Sequence, residues 1–217
     1  MAVEYPYIAR QGWPFILAAV LVALVLHFTV GEPWSLPFWL LALVLLYLFR
    51  DPTRRIPPAP LGVVSPVDGK VTAVESCRDP YLQRDAVRIG LRMQHFGVYT
   101  TRSPVEGKIM DIWFFPAGSV RPGEAAVVGD ASHIDRYAIW LQTDEQDDVV
   151  LVIRVTEHRL RPRCYVHIGE RIGQGQRCGM VGFGGEVNVY VPANSRIEVQ
   201  PGSRVRAGSD IVATLVH

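Results

Sequence analysis

Two apolar runs, separated by a three-residue turn, constrain this 217-residue chain more than any other feature. Residues 13–30, WPFILAAVLVALVLHFTV, contain no Asp, Glu, Lys or Arg, and His27 is the one ionisable side chain. As a helix that run covers roughly 27 Å, just short of the ~30 Å hydrocarbon core of a bilayer. After Gly31-Glu32-Pro33 comes a second uncharged run, WSLPFWLLALVLLYLF, at 34–49. Trp13, Trp34, Trp39 and Tyr47 lie near the run ends, where amphipathic rings favour a membrane interface. A cleaved signal peptide would show a basic start and a small-residue cleavage site before polar chain, and here a second apolar run follows instead. The expectation is a membrane-embedded helical hairpin over residues 1–50, spanning twice or dipping in from one face, with a buried soluble hairpin as the alternative.

Arg10 precedes the first run, Arg50, Arg54 and Arg55 follow the second, and the turn carries only Glu32. Positive flanks stay cytoplasmic, which places the rest of the chain on the cytoplasmic face of the cell membrane. His27 lies near a run end, where interfacial placement is expected. Residues 51–62, DPTRRIPPAPLG, hold four prolines and read as a semi-rigid linker, with Arg54 and Arg55 near lipid phosphates.

From Val63 to residue 217 the pattern changes to short β-branched runs broken by Gly, Pro, Asn or Asp: KVTAV, AVRIGLRM, DDVVLVIRVT, EVNVYV and IVATLV among them. The fold class expected is mostly β, a barrel-sandwich-like domain behind the helical hairpin. GERIGQGQRCGMVGF and PGSRVRAGSDIVATL look alike, though the likeness is too short by itself to establish a repeat. Lys+Arg is 22 against 21 Asp+Glu, which argues against a nucleic-acid partner. Cys77, Cys164 and Cys178 are too sparse for a disulfide framework and read as small buried hydrophobes. No His or Cys spacing, including that of His158 and His167, suggests a metal site.

Five strings then accumulate in order: LFRDPTRRIPP (48–58), VVSPVDGKV (63–71), TRSPVEGKI (101–109), HIGERIGQGQRCGMVGFG (167–184) and VNVYVP (187–192). Together they resemble the phosphatidylserine decarboxylase family, whose patterns read FFRDPxRxxP, SPxDG, VHxNRxPxxG and GxxxGxxxFGS followed by VxVYxP. The resemblance covers about residues 40–217. It implies a precursor that cuts itself before a serine, through an ester formed by the serine hydroxyl, and is left with a pyruvoyl group. That group takes the substrate amine as a Schiff base and draws off the electrons when CO₂ leaves. An Asp–His–Ser set drives the cut.

Carried over by position, the family Asp is Asp68, the family His falls on Tyr99, and the family Ser falls on Gly185. Arg102 and Pro104 match. Gly185 has no hydroxyl with which to form the ester, so no pyruvoyl cofactor is expected. Tyr99, with an ordinary pKa near 10, is a poor base at neutral pH. His95 would share a face with Tyr99 on an alternating strand, and Arg102 is a candidate for a lipid phosphate. Ser119, Ser203 and Ser209 also follow glycines, but outside the family context, where they read as turn residues. Cys178 lies seven residues before Gly185.

The reading is a membrane-anchored, non-processing homologue that binds a phospholipid or an enzyme of lipid synthesis, with a homo-oligomer open. The alternatives are an active decarboxylase using another nucleophile, and a different lipid enzyme using Asp68, Tyr99 and His95 as acid–base groups. A carrier domain modified at Lys70 is disfavoured, because the flanking methionines are missing.

Overall fold

A computed structural model describes residues 8, 12–50, 54–94, 98, 100–116, 134–156, 163–181 and 185–216. It divides into two compact units, Met1–Thr53 and Arg54–His217.

In the first unit both apolar runs are helical: α1 covers Trp13–Thr29 and α2 covers Glu32–Leu48. Each helix takes a proline in its first turn, where the missing N–H costs nothing. Gly31, at φ +107°, makes the reversal that a side chain would resist. Small residues let the helices approach: Ala19, Ala23, Ser35 and Ala42 are buried, and a Cβ on Gly12 would sit 2.5 Å from the Phe49 side chain. Most large apolar side chains face outward, with Phe28 81% and Trp34 66% exposed.

The expectation of membrane-spanning helices is corrected here. Val30 and Phe49 drop out as C-caps, leaving 17 residues in each helix. That is roughly 26 Å of helix, and α2 includes the charged Glu32 in its first turn. No helix among the described residues is long and apolar enough to cross a membrane.

The second unit is mostly β. Its long strands are β2 (Gly69–Arg78), β3 (Asp85–Met93), β5 (Gly107–Phe115), β6 (Ile134–Gln142), β7 (Asp148–Thr156) and β11 (Glu186–Pro192). Shorter ones are β1 (Gly62–Val64), β4 (Thr100–Arg102), β8 (Arg163–Cys164), β9 (Arg171–Ile172), β10 (Arg177–Met180), β12 (Arg196–Ile197), β13 (Arg204–Val205) and β14 (Ile211–Thr214). Eight of them form one curled half-barrel sheet in the order β13-β2-β3-β11-β7-β6-β5-β9. Two three-stranded sheets, β1-β14-β12 and β4-β10-β8, complete the unit.

Alternation along the strands builds two cores. Ile89, Leu91, Leu151, Ile153, Val187 and Val189 join the main cluster, while Val150, Val152 and Tyr190 face the other way. There Tyr81 stacks on Trp113 and Trp113 on Trp140, at 5.8 and 6.3 Å between ring centroids. A central strand buried on both faces explains why VVLVI reads as continuous apolar sequence rather than as an alternation.

The eight-strand order is a palindrome. Exchanging β13 with β9, β2 with β5, β3 with β6 and β11 with β7 returns the same sheet, and β1-β14-β12 maps onto β4-β10-β8. The hydrogen bonds repeat with it. Ser65 Oγ donates to the Val67 carbonyl at 2.8 Å, and Ser103 Oγ to that of Val105 at 2.7 Å. The Val64 N–H donates to Pro104 and the Arg102 N–H to Pro66, both at 2.8 Å. A Cβ on Gly69 would lie 2.3 Å from the Arg92 carbonyl oxygen, and one on Gly107 2.3 Å from that of Gln142. The two SPV-acid-Gly strings are thus one structural element used twice. The short likeness between the two C-terminal pieces belongs to the same duplication. One half comprises β1–β3 with β11–β14, and the other, β4–β10, is inserted into it between β3 and β11.

Candidate functional site

The insertion point is where the sequence places its chemistry. In the inserted half the β6–β7 turn is tight, closed by the Thr143 N–H donating to the Asp147 carbonyl at 2.9 Å. In the outer half the matching bond runs from the Met93 N–H to the Gly185 carbonyl at 3.0 Å. There the turn is opened, and some ninety residues leave and return. Gly185 therefore stands at the returning lip, immediately before β11.

Asp68 reaches the same end of the sheet from the other side of β3. It ends the SPVDG turn, and its carbonyl accepts from the Gln94 N–H at 3.3 Å. Its carboxylate is held twice: the Arg54 guanidinium donates to Oδ2 at 2.5 Å, and the Ala207 N–H to Oδ1 at 2.7 Å. The structure thus brings Asp68 and Gly185 together around Met93 and Gln94. Tyr99 and His95 lie outside the described residues.

Arg102 sits on β4, two-stranded pairing placing it against Arg177. It is 5% exposed, and its Nη1 donates to the Gly175 carbonyl at 3.0 Å. Gly208 crosses directly above, where a Cβ would come within 2.9 Å of Arg102 Cδ. Cys178 is buried on β10, and that burial, with Cys164 beside it, pushes its thiol far above the ordinary range. Burial also raises the Cys164 thiol. Neither is an activated nucleophile. No group of His, Cys, Asp and Glu among the described residues could hold a metal ion.

Sequence reasoning missed the brace on Asp68. Arg54 was expected near lipid phosphates, but its guanidinium is engaged with Asp68. The signal was present, since the DPxR of the family pattern ends on Arg54. Also unforeseen is an open cleft of about 570 Å³ beside the opened turn. Lys70, Arg92, Met93, Gln94, Gly202 and Arg204 line it.

A sequence model described as phosphatidylserine decarboxylase matches residues 41–213. The chain is 42% identical over 209 residues to the phosphatidylserine decarboxylase proenzyme of Nitrosomonas eutropha, covering 96% of this chain and 95% of that one. It is 42% identical over 211 residues to the proenzyme of the same name from Aromatoleum aromaticum, covering 97% of each. The corresponding Burkholderia cenocepacia proenzyme is 40% identical over 215 residues, 99% of each chain.

Proposed function

The chain belongs to the phosphatidylserine decarboxylase family of phospholipid metabolism, and from that premise we propose that it keeps the family's scaffold and phospholipid binding while having lost self-processing. Members of the family act on a membrane phospholipid through a self-derived pyruvoyl group rather than an external cofactor. The observation that carries the proposal is glycine at position 185. The ester step requires a hydroxyl on the residue whose N–H becomes the new N-terminus, and a hydrogen in its place offers no nucleophile.

Two further features support the reading. Asp68 engages Arg54 and the Ala207 N–H, which makes it a brace between the chain entering the β unit and the β13–β14 turn. Buried Cys178, with its raised thiol, does not favour a substitute nucleophile. The hairpin's outward-facing apolar side chains suit a helical pair that dips into the bilayer from the cytoplasmic face. Arg10, Arg50 and Arg55 support that orientation. Residues 1–50 then act as the membrane attachment and residues 63–217 as the phospholipid-facing β domain, open to a lipid-synthesis enzyme as partner.

Intact mass of the detergent-solubilised protein tests the proposal. One species near 24.2 kDa, unchanged by hydroxylamine, is expected. Two fragments splitting at residue 184 or 185 overturn it and restore an active decarboxylase.

A further inference from the structure

The duplication supplies an internal control for the charge beside the opened turn. Across the outer half, Arg204, Lys70, Arg92 and Glu186 occupy one row of directly paired positions on β13, β2, β3 and β11. Cross-strand partners share a face, and like charges placed opposite one another destabilise a sheet. This row sets three cations side by side. Its one carboxylate, Glu186, is shared between Arg92 at 3.2 Å and Arg154 at 3.0 Å. Lys70 and Arg204 make no ion pair among the described residues.

The inserted half has the same row at Arg171, Lys108, Gln142 and Asp148. Here the row holds two cations rather than three, with a neutral Gln142 in the place of Arg92. Lys108, like Lys70, makes no ion pair among the described residues, but Arg171 is compensated. Arg171 pairs with Asp144 and, at 3.3 Å, with Glu106, while Gln142 donates to Asp148 at 3.1 Å. Glu106 occupies the position of Asp68, but Asp68 is committed to Arg54 and Ala207 and leaves Arg204 without that partner. The scaffold therefore does not require a row of three cations. Only the copy that borders Gly185 has one, and that copy opens into the cleft of about 570 Å³.

We propose that Lys70, Arg92 and Arg204 form an anion site for a phosphate group, seating the headgroup phosphodiester of a phospholipid beside the opened turn. The inference rests on the phospholipid-binding reading above. Guanidinium and ammonium donors match phosphate oxygens in charge and geometry, and a cleft at a sheet end admits a headgroup while its chains remain outside. Free phosphate offers the same chemistry, so both sources enter the test.

The test uses the full chain in neutral detergent, with the short-chain lipid dihexanoyl-phosphatidylserine titrated in and bound lipid counted by native mass spectrometry. Lys70→Glu/Arg204→Glu is expected to lower affinity by roughly tenfold or more, the size of one lost charge-assisted contact. The mirror variant Lys108→Glu/Arg171→Glu is expected to stay within about twofold. Lys70→Gln/Arg204→Gln, with thermal unfolding alongside, guards against a folding artefact and is expected to weaken binding less than the reversal. Displacement of the lipid by millimolar inorganic phosphate supports the site and shows that the phosphate alone is recognised; retention supports a site that needs the whole headgroup. Equal binding by wild type and the Lys70/Arg204 reversal, or equal loss in the mirror variant, overturns the inference and leaves the phospholipid-binding reading intact. A wild-type chain that binds no phospholipid overturns both.

Discussion

The two halves of the β unit are built on one plan and differ most at one turn. In the inserted half, β6 passes to β7 through a closed turn, with Thr143 bonded to Asp147. In the outer half the equivalent Met93–Gly185 bond survives, but the turn between those residues has been replaced by an entire second half. A hairpin turn is ordinarily the least demanding part of a sheet to alter, because its residues do not pair. Opening it creates a place where two chain crossings, a cleft and uncompensated cations meet without disturbing the strands. The closed copy shows what the element is when it serves only the fold: acidic, paired and compact.

The comparison is sharpened most by restoring the family's reactive pair at the opened turn. Tyr99→His/Gly185→Ser is expected to convert an intact chain into two fragments on a denaturing gel, whereas either single change leaves it whole. Cleavage of the unaltered chain would break the comparison at its root. Next in size are the twin glycines. Gly69→Ala and Gly107→Ala each drive a methyl group into a backbone carbonyl, at a cost of about 3 kcal/mol, read as a fall of roughly 10 °C in Tm. Equal losses support equivalence of the two SPV-acid-Gly turns, and a loss at one glycine only would deny it.

Smaller effects separate the two acids. Asp68→Asn removes the charge that holds Arg54, at a cost of about 1–2 kcal/mol in thermal unfolding. Glu106→Gln, on an exposed pair with Arg171, is expected to change stability by less than about 0.5 kcal/mol. Smallest is the acid limb of the inserted half. The hydrogen bond from Arg171 holds the Asp144 carboxyl below its ordinary range. The folded value is thus the lower one, so the stabilisation is complete above the unfolded value, near pH 4, and is lost as pH falls through the folded value. Asp144→Asn should lower Tm slightly near neutrality, where the stabilisation is complete, and leave it unchanged at a pH below the folded value, so that the acid limb flattens.

Much of this architecture was legible in the sequence, and the reasons are local. Apolar runs without charge gave two helices, and β-branched runs between turn residues gave strands. SPVDG and SPVEGKI stood out as motifs, and the structure makes both of them the same turn, with a serine hydroxyl bonded two residues on and a glycine with no room for a Cβ. Helix length was less legible, since apolar Val30 and Phe49 continue their runs in composition yet stand as C-caps, each donating its N–H to the carbonyl four residues back. The duplication was almost hidden. Its evidence lies in which strands pair, and pairing across the insertion is not written in any local stretch. The Arg54–Asp68 bond and the row of cations share that character: each joins residues distant in sequence but adjacent across strands, so each appears only once register is known.

Glu186–Pro192 runs between β3 and β7, hydrogen-bonded on both sides. The first strand after the opened turn thus enters the molecule as a middle stave, with partners to its left and right that come from earlier in the chain. The lateral ladder holds that stave on both of its edges. The same protein could exist as two pieces noncovalently clasped, residues 186–217 completing the remainder as a complementing fragment. A fold laid out in this way is expected to survive being cut at Gly185 whether or not it retains the means to make the cut.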